Sequence, residues 1–315
     1  MLSRVAENLY WLGRYLQRAE NTARLVGVHS HLLMDIPPRV LSGWHPLIEI
    51  VGADKLFAEL YQDTSEASVV KFLLLDERNP SSVVSSLRAA REGLRTTRDI
   101  MPRETWDRVN DTYHWVRDNG ERSLQRRWRR DFLVEVIDMN MLVLGTLMSS
   151  MSRDVGYHFL RTGLHLEQAD MTTRIVDVRS VSLIQTRDAE DLRPFQSIQW
   201  MSVLKSLTGY QMYRQHAKRR VSGSEVVNFL IQDLRFPRSV LFCLNQVNNV
   251  NLQELPTRPA VNKALKAAIK LVGEANLDGM VQESLAQEAL SKFIDDIQIS
   301  LGDTHDALSQ AYFKR

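Results

Sequence analysis

The chain has 315 residues, 44% of them hydrophobic and 25% charged, the balance of a soluble globular protein with a large core. Its 40 Lys and Arg against 38 Asp and Glu leave a net charge of +2, so no global field directs it toward nucleic acid. A single cysteine, Cys243, excludes an intrachain disulfide and suits a reducing cytoplasm.

Helical periodicity dominates. The first predicted helix starts near Ser3, read as its N-cap, and stops before Pro37-Pro38, which cannot continue it. Leu9, Leu12, Leu16, Ala19, Ala23 and Val26 fall at three- and four-residue steps and share one face. This opening lacks the apolar core and cleavage site of a signal peptide. Further helices are predicted near 66–75, 80–99, 103–118, 121–151, 154–178, 196–215, 224–233, 238–250, 259–272 and 281–312. Asn79-Pro80 and Phe236-Pro237 read as helix starts with Pro at the first helical position. Gly120, Gly223 and the Pro256/Pro259 pair read as breaks. The most apolar stretch, 132–151, carries Glu135 and Asp138 and reads as a buried helix rather than a membrane span. Residues 176–185 are β-branched and read as a short strand or a loop. The fold class is all-α.

Two segments echo each other. Gly13 to Val26 reads GRYLQRAENTARLV, and Gly163 to Val176 reads GLHLEQADMTTRIV, 150 residues later. Phe72 to Val83 (FLLLDERNPSSV) returns as Phe229 to Val240 (FLIQDLRFPRSV), 157 residues later. Two matches in one order predict an internal duplication. The expected organisation is two pseudo-symmetric half-units, 1–150 and 151–315, packed around a shared core as one compact domain. The second half has the longer connection, roughly 179–194, either a surface elaboration or a functional loop.

The repeated helices each carry an i,i+4 acid–Arg pair, Glu20/Arg24 and Asp170/Arg174. A pseudo-twofold axis would gather them into a four-charge cluster. That cluster either grips an anionic group through Arg24 and Arg174 or fixes the register of the two halves. Asp76/Arg78 and Asp233/Arg235 precede the paired prolines, as backbone clamps or as an anion site at a helix N-terminus. Tyr10, Trp11 and Tyr15 read as core, with stacking on a ligand as the alternative. Arg126-Arg127-Trp128-Arg129-Arg130 and Lys218-Arg219-Arg220 are basic clusters, each either a solvated face or a phosphate contact. His29-x-His31 places its two rings on different helix faces, and no His-Glu-x-x-His, Glu-x-x-His or cysteine cluster occurs, so no metal or other cofactor is expected. Walker-type, G-x-G-x-x-G and G-x-S-x-G motifs are missing from the sequence. Cys243 sits amid Leu241, Phe242 and Leu244 and reads as core.

The runs SRVAENLYWLGRYLQRAENTARL (Ser3–Leu25), FLLLDERNPSSVVSSLRAARE (Phe72–Glu92), LEQADMTTRIVDVR (Leu166–Arg179) and FPRSVLFCL (Phe236–Leu244) resemble the bacterial alpha-E domain family, in order across nearly the whole chain. The family is all-helical and named for a Glu-Arg motif. Gln17 stands where the resemblance places Glu before Arg18, and Gln168 where it places Arg after Glu167. Each half thus keeps one member of the dipeptide. The resemblance implies a setting beside an ATP-grasp protein of the amidoligase type and a transglutaminase-like protein. The expected function is a non-catalytic helical partner or substrate-presenting scaffold for such a ligase. The alternative is an enzyme of the same system, acting on an amide, peptide or amino-acid substrate through the acid–Arg cluster. A third reading is a phosphate or nucleic-acid binder using Arg126 to Arg130.

Overall fold

The computed structural model describes residues 2–37, 43–184, 193–216, 221–253, 255, 258–277, 280 and 286–313. Among them are fourteen α-helices and no strand. They are α1 (Ser3–Asp35), α2 (Pro46–Ile50), α3 (Asp54–Leu60), α4 (Glu66–Leu74), α5 (Val83–Arg95), α6 (Arg103–Asn119), α7 (Arg126–Ser150), α8 (Val155–Ile184), α9 (Arg193–Ser206), α10 (Tyr210–His216), α11 (Gly223–Gln232), α12 (Val240–Gln253), α13 (Pro259–Gly273) and α14 (Ala286–Leu308). The last runs into a π-helical turn, Ser309–Phe313.

The all-α expectation holds, with local differences. Helix α1 is capped by the backbone of Leu2, not by the Ser3 side chain. Asn79-Pro80 and Phe236-Pro237 lie before their helices rather than in them. The N-caps are Ser82 and Ser239, whose hydroxyls accept from the Ser85 and Phe242 amides at 3.2 Å. Serine takes the role because its short side chain reaches the first-turn amides, whereas Phe236 offers no acceptor. Residues 176–184 continue α8 instead of forming a strand or loop, and Arg179 in this stretch reaches His29 of α1 at 2.8 Å. The segment predicted as 196–215 is two helices. Thr208, at φ 56°, turns the chain, and the Gly209 amide donates to the Leu204 carbonyl at 2.7 Å. Helices α2 and α3 are too short for a periodic signal. Residues 185–192 and the Lys218-Arg219-Arg220 cluster lie outside the described residues.

Helices α1 and α8 form the centre. They run parallel, because Gly13 meets Leu160 and Leu164, Gln17 meets Gln168, and His29 meets Arg179. Leu9, Leu12, Leu16, Ala19, Ala23 and Val26 are buried, and each large aliphatic side chain among them contributes about 2 kcal/mol. The packing around this pair follows one pattern twice. Helix α5 lies on α1, α6 on α5, and α7 on both α6 and α1. Helix α12 lies on α8, α13 on α12, and α14 on both α13 and α8. Helix α2 crosses to α8, and α9 crosses to α1. One continuous core runs through both halves.

Helix α7 departs from expectation. It is long and apolar enough to cross a membrane, yet only 33% of its most apolar window is buried. It is therefore not the buried helix read from the sequence. Leu133, Val136, Val143 and Leu147 face the core, while Val134, Met141 and Leu142 are exposed on the opposite side. Hydrophobicity on both faces hides the amphipathic pattern that burial on one side requires.

The central pair depends on two glycines. A Cβ at Gly13 would collide with the Leu160 carbonyl, and one at Gly163 with the Tyr10 carbonyl. Those neighbours are backbone and cannot turn aside. Gly13→Ala and Gly163→Ala should each lower stability by about 1–3 kcal/mol in thermal or denaturant unfolding. Gly145→Ala, in the exposed part of α7 with nothing near its Cβ position, should raise stability by about 0.5–1 kcal/mol.

Candidate functional site

The close approach at Gly13 and Gly163 brings polar side chains further along both helices against one another. Glu167 is almost fully buried there. It accepts from Arg18 Nε at 2.6 Å, from Arg18 Nη2 at 3.0 Å and from Arg14 Nε at 2.7 Å. Burial alone would raise the Glu167 carboxyl, but the charges of Arg18 and Arg14 prevail and hold it down to about 2. Burial also opposes the charge of both guanidiniums, and Glu167 outweighs it, so both stay above their ordinary value. Asp170 lies near enough to add to that effect. Arg14 also packs over Tyr10 and Trp11, and Arg18 over Tyr15. The Tyr10 hydroxyl lies 2.8 Å from His305 Nδ1.

Directly beside this charged pair lies a neutral one. Gln168 Nε2 donates to Gln17 Oε1 at 3.0 Å. Gln17 precedes Arg18, and Gln168 follows Glu167. The two residues that depart from the expected Glu-Arg dipeptide therefore touch each other, and the two that keep it are bonded as an ion pair.

The neutral pair belongs to a longer chain of hydrogen bonds. Arg161 Nη2 lies 2.7 Å from His165 Nε2, and His165 Nδ1 lies 3.2 Å from Gln168 Oε1. Burial and then Arg161 push His165 down to about 3, so it is neutral. A guanidinium can only donate, which places the imidazole proton on Nδ1. Gln17 Nε2 then donates to Glu20 Oε2 at 3.2 Å and to Asn21 Oδ1 at 2.9 Å. Every link points from the Arg161 cation toward the Glu20 carboxylate.

Glu20 is saturated. Its Oε1 accepts from Arg24 Nε at 2.7 Å and from Arg238 Nη2 at 2.8 Å, and Arg238 Nη1 donates to Asn21. Arg24 also touches Met141. Asp170 pairs with Arg174 Nε at 3.0 Å, and Arg174 packs over Gly52. Each acid–Arg pair bridges along its own helix. The two do not pair with each other, so the four-charge cluster expected from the sequence does not form. Positions 20 and 24 face the loop before α12 and helix α7, away from the α1–α8 seam.

Asp76 accepts from the Arg78 amide at 3.0 Å, from the Arg78 guanidinium at 2.6 and 2.9 Å, and from the Tyr61 hydroxyl at 2.7 Å. The Arg78 hydrogen bond holds its carboxyl well below the ordinary range. Asp233 accepts from the Arg235 and Phe236 amides, both at 2.7 Å, while the Arg235 side chain is exposed. Both aspartates clamp backbone turns. Cys243 is buried, with its thiol pushed up to about 12 by desolvation. His29 donates from Nε2 to the Gly43 carbonyl at 2.8 Å and accepts from Arg179 on Nδ1 at 2.8 Å. His45, Glu49 and Asp54 bring three ligand atoms together on the surface and are the set among the described residues with spacing for a cation.

The basic cluster has a different setting. A cavity of about 570 Å3 opens between the second half of α1 and the first turns of α7. Arg24, Arg126, Arg127, Arg129, Arg130 and Lys205 line it, with Glu66 as the facing carboxylate. Its apolar wall includes Val28, Leu33, Trp44, Leu133, Val134 and Ile137. Arg129 is buried, donates to Glu66 and to the Ser123 and Leu124 carbonyls, and packs over Trp44.

Sequence reading missed Arg14, Asn21, His165, Arg161, Arg238 and Glu66, which complete these networks. Arg238 carried one signal: it stands where the first echo has Ser81. The matched exchange at Gln17 and Gln168 carried the other.

A parallel helix pair with a Glu–Arg bridge across its seam, flanked by further helices, defines an all-helical domain whose motif glutamate is buried. The model of the Alpha-E family, described as a predicted alpha-helical domain with a conserved ER motif, matches residues 1–313, and the chain belongs to that family. Uncharacterised proteins of Mycobacterium bovis and Mycobacterium tuberculosis are 23% identical over 338 residues, covering 97% of this chain and 36% of the relative. The chain thus spans about a third of the length of these curated relatives. No solved structure matches the chain.

Removing the charge of Glu167 leaves two partly buried guanidiniums without their carboxylate. Glu167→Gln should cost about 3–5 kcal/mol, measured by denaturant unfolding at neutral pH. The folded pKa lies below the ordinary 4.5, so this stabilisation is complete above that value and is lost as pH falls toward about 2. Wild-type stability should drop through that window, and Glu167→Gln should show a shallower drop.

The neutral pair gives a second test. Gln17→Glu alone places a carboxylate against Glu20, and Gln168→Arg alone places a cation against Arg161 and His165. The double variant should be more stable than the sum of the two single effects by about 1–3 kcal/mol in a double-mutant cycle.

Proposed function

We propose that this chain is a non-catalytic helical partner or substrate-presenting scaffold of an ATP-grasp ligase of the amidoligase type, in a peptide-synthesis or peptide-modification system. The carrying observation is the state of the acid–Arg groups. Glu20 and Glu167 are buried and each accepts from two guanidiniums, an arrangement that fixes register and leaves neither free for acid–base work. The ligase and its transglutaminase-like companion come from the family resemblance. The exposed Val134, Met141 and Leu142 on α7 supply an apolar face on which a protein partner can seat. A cytoplasmic location belongs to the same reading.

Descent from a duplicated unit also belongs to it. The repeated packing order, the paired glycines and the paired serine caps support that origin.

The test is affinity purification of the tagged chain from its source cell, followed by mass spectrometry. Recovery of an ATP-grasp protein in stoichiometric amount is expected, and Leu142→Asp should abolish it while leaving the melting temperature unchanged. Recovery of the chain alone, together with turnover of an amide substrate by the purified protein, would overturn the reading in favour of an enzyme.

A further inference from the structure

We infer that the cleft between α1 and the start of α7 binds a small amphiphilic anion. A carboxylate or phosphate headgroup would be held by Arg127, Arg130 and Lys205, with an aliphatic or aromatic body against Val28, Leu133 and Val134. The inference stands apart from the partner reading and needs no ligase.

Three independent observations carry it. The first is charge. Six cationic side chains line the cleft against the single carboxylate of Glu66. Glu66 is taken by Arg126, Nε to oxygen at 2.8 Å, and by Arg129 at 2.7 Å, and Arg24 is held by Glu20. Arg127, Arg130 and Lys205 have no carboxylate partner among the described residues. Their other contacts are with Gln125 and Trp128 for Arg127 and with Tyr210 for Lys205.

The second is the helix itself. Helix α7 places Arg126, Arg127, Arg129 and Arg130 in its opening turns, has no acidic residue in its first turn, and has no side-chain cap on its amides. Cations at a helix N-terminus are opposed by the macrodipole, and an anion there is favoured by it. Glu66 answers Arg126 and Arg129, and an anion beside Arg127 and Arg130 would answer the remaining charge.

The third is shape. A cavity of about 570 Å3 lies within the range of small-molecule sites. Its apolar wall gives nothing to a bare inorganic ion and rewards a hydrocarbon body. The rigid part of the wall is already in place, because Arg129 is locked by two carbonyls and Glu66 and packs on Trp44. A short concave site with an apolar wall also differs from the extended basic stripe that a nucleic-acid strand requires.

Calorimetric titration of the full chain with octanoate, octyl phosphate, octanol, acetate and inorganic phosphate tests this. At least one octyl anion should bind, and added salt should weaken it. Acetate, inorganic phosphate and octanol should each bind at least about tenfold more weakly than that octyl anion. Preference between octanoate and octyl phosphate identifies the headgroup. Arg127→Ala with Arg130→Ala, both exposed, should weaken binding by about tenfold or more without lowering the melting temperature. Leu142→Asp, on the far part of α7, should leave it unchanged. Equal binding of octanol, loss of binding in Leu142→Asp alone, or no octyl-anion binding up to about 1 mM would overturn the inference.

Discussion

Backbone contact between α1 and α8 at Gly13 and Gly163 sets the rest of the structure. Two helices that meet at glycine bring the polar side chains of the next turns close together. Any polar side chain there must find a protein partner or be excluded. An ordered network accordingly runs from the seam at Arg14, Arg18, Glu167, Gln17 and Gln168 out to Glu20, Asn21 and Arg238.

That network explains how the chain carries a Glu-Arg family motif with neither dipeptide intact. In a parallel pair, residue 18 of one helix lies beside residue 167 of the other, and residue 17 beside residue 168. A single remaining Glu and a single remaining Arg suffice for one bridge across the seam. The other bridge becomes an amide pair, which needs no charge compensation and still fills both hydrogen-bonding roles. The cost of burying ions falls by one pair while the register of the helices is kept.

Burial of the motif separates architecture from recognition. The charged residues that mark the family hold helices, whereas the exposed charges of Arg127, Arg130 and Lys205 stand at a cleft and face solvent. Val134 belongs to the apolar wall of that cleft, and Met141 and Leu142 are exposed further along the same helix.

The sequence by itself determined the helical class, most helix positions, the core stripe of α1 and the paired segments that became α1 and α8. These follow from local periodicity and repetition, which are written along the chain. It also offered Asp76 and Asp233 as backbone clamps beside an anion-site reading, because an Asx turn is closed within a few residues. It did not show that Glu20 and Asp170 face apart, that Arg18 meets Glu167, or that α7 is exposed on one apolar side. Helical spacing fixes which residues share a face but not which neighbour that face meets. Partners such as Arg238, 218 positions from Glu20, are chosen by how the helices pack, and only the tertiary structure decided them.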